Sequence, residues 1–329
     1  MRHSPDGKLL AAGCGDGAIR IYEKSSGELK YNLNVESKNQ LPTTSIRFRP
    51  SSGRSKTKNV LLAVNADGSL DHWHVTSRRK IHTVEEKDNQ LLCVDYRYDG
   101  GQFATAGKDY SVRIYDEATK TKVAELAQSF GTGHGHSNRV FSLKYQPQSS
   151  NIVVSGGWDN TVQIWDLRVK SSVRSIFGPH IAGDSVDICG DTILTGSWRP
   201  ENVLQTWDLG TGKLFKTIQW DENQSKASCC KLYTAQFSPS MTRPAKFICA
   251  GGSGSNEARI FETSKGNALV GVIKGFEKAV YTSDFSPCDN TVAIAGGDSK
   301  IHIFSISERR FDSSKMDAKE YTDSVYVSV

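Results

Sequence analysis

The chain of 329 residues is 37% apolar and 23% charged, and 41 Lys and Arg against 36 Asp and Glu leave a formal charge of +5. With 29 glycines added, the apolar set reaches the ordinary range of a protein with a packed core, which excludes a disordered or collagen-like chain. No apolar run approaches the ~18 residues of a membrane-spanning helix, and the small net charge excludes histone-like basicity.

Cys14, Cys93, Cys189, Cys229, Cys230, Cys249 and Cys288 are odd in number and lack C-x-x-C spacing. They read as reduced thiols rather than a disulfide framework or a zinc site. The turn-forming Ser4-Pro5-Asp6-Gly7 stands where a secretory signal would be apolar, so an intracellular, cytoplasmic chain is expected, with the nucleus not separated from the cytoplasm.

In chain order the predicted elements are short strands ended by Gly or Pro, and no stretch has the length and period of an amphipathic helix. Gly13-Cys14-Gly15-Asp16-Gly17 resembles a phosphate loop but has no strand-to-helix context, so it reads as a turn. A strand that ends in a turn follows as SIRFRP (45–50) and returns as SLKYQP (142–147), AQFSP (235–239) and SDFSP (283–287). His72 and His74 flank Trp73 without a third metal ligand in sequence reach. The clearest unit runs from Gly135-His136 to Arg168, with strand patterns at Ile152-Val153-Val154 and Val162-Gln163-Ile164-Trp165 around an Asp159-Asn160 turn. Gly251 to Ser255 is glycine-rich but is not a nucleophile elbow, and Cys229-Cys230 reads as an incidental vicinal pair. No catalytic constellation remains, so a non-catalytic protein without cofactor or metal is expected.

This unit recurs. An aromatic closes its last periodic strand at Tyr22, Trp73, Tyr115, Trp165, Trp207, Phe261 and Phe304, a mean spacing of about 47 residues, so the chain holds seven units. Six residues earlier stand Asp16, Asp67, Asp109, Asp159 and Asp298, with Glu201 and Ser255 in the other two units. A carboxylate there suits a tight turn, where it accepts backbone N–H bonds.

With Trp165-Asp166 and Trp207-Asp208 in register and Ile114-Tyr115-Asp116 as a near match, the chain resembles the WD-repeat family of β-propellers over residues 4 to about 306. The resemblance implies an all-β, seven-bladed ring of four-stranded blades spanning 1–306, with a tail at 307–329. It also implies a network in each blade, from a Gly-His histidine to a strand hydroxyl and the Trp indole. Unit four has the full set in His136, Ser155, Asp159 and Trp165, and unit three keeps Thr105, Asp109 and Tyr115. Ala12, Ala63 and Ile294 occupy the hydroxyl position in units one, two and seven, so those blades are expected to be looser.

Rings of this kind borrow the last blade's outer strand from the N-terminus. Here only Met1-Arg2-His3 precede the first turn, so the first blade is incomplete at its innermost strand. Either the chain starts late or its C-terminus closes the ring, and the alternating segment at 323–329 is expected to pair on the last blade.

Function in such a ring belongs to its loops. The loops joining strands one to two and three to four carry sixteen Lys and Arg against eleven Asp and Glu, and the opposite rim carries seven against fifteen. Arg54, Lys56, Lys58, Arg78, Arg79 and Lys80 make the basic rim densest in blade two, a patch for an acidic partner. Protein is favoured over nucleic acid because no base-stacking aromatics alternate with these charges. The segment 153–168 also resembles the box by which some WD-repeat proteins dock onto the adaptor of cullin-RING ubiquitin ligases, which would give Asp159, Trp165, Asp166 and Arg168 key places. The expectation is a protein-interaction scaffold within a multi-subunit assembly, with no membrane contact. A cytoskeletal (microtubule or ciliary) component and a ligase substrate receptor are the alternatives.

Overall fold

The computed structural model describes residues 1–33, 41–51, 59–128, 134–220, 229–239 and 245–306, and the backbone of Ser324–Ser328. These residues form seven four-stranded antiparallel sheets. Their only helical element is a 3-10 turn at Thr263–Lys265. The blades span residues 2–33, 43–85, 91–126, 140–177, 186–218, 231–273 and 280–305, the last with Ser324–Ser328 as its fourth strand. In blade four the strands are Val140–Tyr145, Ile152–Gly157, Thr161–Asp166 and Ser171–Phe177. The two middle strands are almost wholly buried, because each blade is covered on both faces by its neighbours. That is why the sequence reads as short apolar runs as often as clean alternation.

Seven apolar clusters fill the seven seams between blades. Trp165 packs with Ala104, Ile114 and Leu126 of blade three, and Trp207 with Val154, Ile164 and Ile176 of blade four. The same holds for Tyr22, Trp73, Tyr115, Phe261 and Phe304, each of which packs into the seam with the preceding blade. Between blades seven and one, the buried apolar side chains among the described residues are Leu10, Ala12, Tyr22, Ala293, Ile301 and Ile303.

Polar chemistry reinforces that seam. The first strand of blade one is only Arg2–His3, paired to Ala11 and Leu10. Asp284 of blade seven accepts the backbone N–H of His3 at 2.7 Å, its ring Nδ1–H at 2.8 Å and the Arg2 guanidinium at 3.3 Å. Lys24 of blade one reaches Asp289 of blade seven. On the far side, Ser324–Ser328 runs antiparallel to Lys300–Ser305, with Val325 opposite Ile303 and Val327 opposite Ile301.

The Asp284 device is repeated around the channel. Asp95, Asp187 and Asp284 occupy one register position on their innermost strands, paired to Ala104, Leu194 and Ala293. Each accepts a backbone N–H from the next blade, of Tyr145, Phe237 and His3 respectively. The same position in blades one, two and four holds Arg2, Arg47 and Lys144, which pair with Asp284, Asp95 and Asp187. Asp184, on the linker before blade five, crosses the channel to bind Arg2 and Arg47.

Burial works against ionisation of Asp284, yet Arg2 and the bonds from His3 hold its carboxyl at about 2. An unfolded aspartate titrates near ~4, so this stabilisation is complete above that pH and is lost as pH falls through about 2, a contribution of roughly 2 kcal/mol. Asp284→Asn should therefore lower stability at pH 7 by about 3 kcal/mol. The penalty should shrink between pH 4 and pH 2 in denaturant titrations.

Candidate functional site

The turn aspartates share one geometry. The carboxylates of Asp16, Asp67, Asp109, Asp159 and Asp298 each accept the backbone N–H two residues on, at 2.9–3.3 Å. The residue between, Gly17, Gly68, Tyr110, Asn160 or Ser299, is left-handed, so the aspartate offsets the strain of a non-glycine turn. Gly157 ends the preceding strand of blade four for a different reason, since a Cβ there would lie 2.4 Å from the Arg139 carbonyl oxygen.

In blade four the structure brings His136, Ser155, Asp159 and Trp165 into one chain of hydrogen bonds. Trp165 Nε1–H donates to Ser155 Oγ at 2.8 Å, and Ser155 and His136 Nε2 are 2.7 Å apart. His136 Nδ1 lies 2.7 Å from Asp159, and an acceptor-only carboxylate requires that this nitrogen carry the proton. Burial opposes ionisation of Asp159, but His136 and the N–H of Ser137 hold its carboxyl below the usual range.

Other blades solve the same problem differently. In blade three Glu86 stands where blade four has His136, nineteen residues before the strand hydroxyl. It accepts from Thr105 (2.5 Å), Tyr115 OH (2.9 Å), Arg113 (2.8 Å) and Asn89 (2.9 Å). Asp109 is not part of this set and pairs with Arg113 at 2.6 Å. Counting back nineteen residues from Thr105 would have found Glu86. In blade five Trp207 Nε1–H donates to Thr195 at 2.9 Å. In blade two, where Ala63 replaces the hydroxyl, the buried Trp73 Nε1 has no hydrogen-bond partner among the described residues.

The predicted rim residues divide. Arg54, Lys56 and Lys58 lie outside the described residues. Arg78 and Arg79 are exposed, Arg78 in the left-handed region. Lys80 is not free to meet a partner, because its ammonium pairs with buried Asp71 at 3.2 Å and lies over the Trp73 ring. Arg168 is exposed, but its guanidinium fork closes on Asp166 through contacts of 2.5–3.1 Å. Among the described residues no group of three His, Cys, Asp or Glu is placed to hold a metal. His72 instead meets Glu117, and His74 meets Ser77. Burial pushes the Cys230 thiol up to about 11 and Cys249 to about 12, so neither is a ready nucleophile.

Sequence reading missed the feature that dominates the opposite rim. Phe141, Trp158, His180, Trp198, Tyr233 and Tyr281 form a continuous aromatic arc over blades four to seven, with successive centroids 4.8–6.4 Å apart. Register shifts at the start of three innermost strands leave Phe141, Tyr233 and Tyr281 out of the ladder, the way a bulge re-aims a side chain. Trp158 and Trp198 occupy equivalent places, three residues past Ser155 and Thr195. Trp158 is 40% and Tyr281 51% exposed. Arg139 lies over Trp158 at 5.8 Å and Lys231 over Trp198 at 4.5 Å. Burial, and then the nearby Arg199 charge, lower the His180 pKa, so its ring stays neutral near pH 7 and stacks on Trp158 at 11°.

Counting loop charges made this rim acidic. Glu86, Asp159, Glu257 and Asp298 are nevertheless buried and bonded to partners, and burial removes them from what a ligand meets. Beside the aromatic arc itself the described charges are Arg139, Lys231 and Arg199.

A ring of seven four-stranded blades, each closed by a third-strand aromatic and five of them keyed by a turn aspartate, defines a β-propeller of repeating sequence. The model of the WD domain, G-beta repeat, matches residues 78–116, 127–166 and 267–305, and that of the anaphase-promoting complex subunit 4 WD40 domain matches residues 1–50. The chain belongs to the WD-repeat β-propeller family. WD repeat-containing protein slp1 of Schizosaccharomyces pombe is 22% identical over 222 residues, which is 66% of this chain and 42% of that protein. Autophagy-related protein 16 of Arabidopsis thaliana is 23% identical over 289 residues, 74% of this chain and 53% of that one. WD repeat-containing protein 1 of Gallus gallus is 34% identical over 93 residues, 28% of this chain and 14% of that one. The chain thus spans about half or less of the length of these relatives. A chain in the crystal structure of the Mitotic Checkpoint Complex shares the fold, with a TM-score of 0.77 at 18% identity over 93% of this chain and 86% of that one.

The hydroxyl position gives a paired prediction. Ser155→Ala strands the Trp165 indole and should cost about 2 kcal/mol, whereas Ala63→Ser offers Trp73 an acceptor and should raise stability by about 1 kcal/mol. Thermal denaturation of the two variants checks both signs.

Proposed function

We propose that this chain is a non-catalytic interaction scaffold whose docking face is the aromatic rim of blades four to seven. One observation carries the reading. Six aromatic side chains form a contiguous, partly exposed row, and although Phe141 packs on the apolar cluster of the blade four–five seam, the other five belong to none of the seam clusters. Exposed contiguous aromatics beside arginine and lysine have the composition of a protein-binding hot spot. The arc's length suits an extended partner segment lying across several blades. Membership of the WD-repeat family supports a scaffold in general.

The two finer alternatives have less support. Docking to a ligase adaptor through Arg168 would require the partner to displace Asp166 from its fork. A filament-binding basic rim keeps Arg78 and Arg79, while the charge of Lys80 is paired with buried Asp71.

Photo-crosslinking in cells separates the faces. A photoreactive phenylalanine analogue at position 158 should give discrete partner adducts, which Tyr281→Ala should reduce about tenfold. The same analogue at position 78 should give none. Adducts from position 78 alone would move the docking face to the basic rim.

A further inference from the structure

On the reading of the aromatic rim as the docking face, we propose that its blade-five turn, Ser197-Trp198-Arg199, is a carboxylate-binding subsite that selects an acidic residue in the docked segment. The first observation is a reversal of charge. Aligned from the hydroxyl that takes the indole bond, Ser155 in blade four and Thr195 in blade five, Arg199 stands where blade four has Asp159. Blades one, two, three and seven also place aspartate in this turn, as Asp16, Asp67, Asp109 and Asp298. Counted the same way, blade six has Gly254. Blade five's turn is two residues longer, with Glu201 before the left-handed Asn202 as Asp159 stands before Asn160, and the added length puts the cation Arg199 beside the arc.

The second observation is a run of idle donors. Ser197 Oγ, Trp198 Nε1 and Arg199 Nε are buried and have no hydrogen-bond partner among the described residues. Ser197 is only 1% exposed. Such donors are ordinarily satisfied, and the indoles of Trp165, Trp207 and Trp220 each have an acceptor. Three unsatisfied donors on consecutive residues of one turn are the feature from which we infer a group rich in acceptors.

The chemistry narrows that group. The turn offers a hydroxyl, an indole N–H and one guanidinium, hence a single formal positive charge and a planar fork that matches a planar monoanion. Lys231, held over the Trp198 ring, adds a longer-range cation. Among the described residues, carboxylates of this chain on the same rim have partners, Asp159 in His136, Glu257 in Arg259 and Trp220, and Glu277 in Lys300. Glu201, later in the same turn, has an interaction of its own. The aromatic surface around the turn lowers the local dielectric, which strengthens a charge-assisted bond. An aspartate or glutamate side chain in an extended peptide meets these requirements.

The test uses the full chain and fluorescein-labelled peptides with a central glutamate among prolines and leucines, titrated by anisotropy. Matched probes carry glutamine or phosphoserine at the centre, and oligouridine is the nucleic-acid control. Wild type should prefer glutamate to glutamine by about tenfold, and Arg199→Gln, with an unchanged melting temperature, should erase the preference. The Trp198 indole N–H resonance should shift on adding the glutamate peptide to wild type and stay still in the variant. Trp158→Ala should weaken glutamate and glutamine peptides alike. If Trp158→Ala changes neither affinity, the docking-face reading itself fails. If it weakens both while wild type shows no glutamate preference, only the carboxylate subsite fails. Preference for phosphoserine or oligouridine, or no measurable binding of any peptide, overturns the proposal.

Discussion

Each blade of this ring is apolar on both faces, so no blade is stable until both neighbours are in place. At the seam between blades seven and one that constraint is met by polar chemistry as well as apolar packing. Asp284 receives two donors from His3 and a third from Arg2. Cooperativity in a closed ring runs through every seam, so an ion pair that joins two blades acts on the whole ring.

The same aspartate device at Asp95 and Asp187 shows how a repeat divides its labour. Apolar positions are held constant because they must fill similar spaces. Polar positions vary because several chemistries satisfy the same backbone. Blade four uses a histidine between aspartate and serine, blade three gathers four donors on Glu86, and blade two leaves the Trp73 indole unanswered. Asp184 joins non-adjacent blades through Arg2 and Arg47, so the channel is part of the structure's electrostatics rather than an open bore.

The proposed docking surface lies where the repeat is least regular. Three innermost strands slip register at their first turn, and the released side chains are Phe141, Tyr233 and Tyr281. Trp158 and Trp198 join them from turns, the first directly before Asp159 and the second directly before Arg199. An aromatic row flanked by cations differs from the bare basic patch of blade two, because stacked rings offer area at little entropic cost while charges alone are screened.

The repeat length, the seven aromatics and the turn aspartates were legible in the sequence, because sterics and backbone hydrogen bonding act locally and recur every 47 residues or so. So was the blade-four set, whose four members keep the family spacing. Glu86 was not, since it replaces a histidine with a residue of unlike type. Nor was the aromatic arc, whose members lie about 17 to 48 residues apart in sequence and meet only because bulges and turns from four blades converge on one rim. Nor could the sequence show that Glu86, Asp159, Glu257 and Asp298 on that rim are buried against partners. A sequence shows which residues carry charge, but burial decides which charges a partner meets, and burial belongs to the closed ring alone.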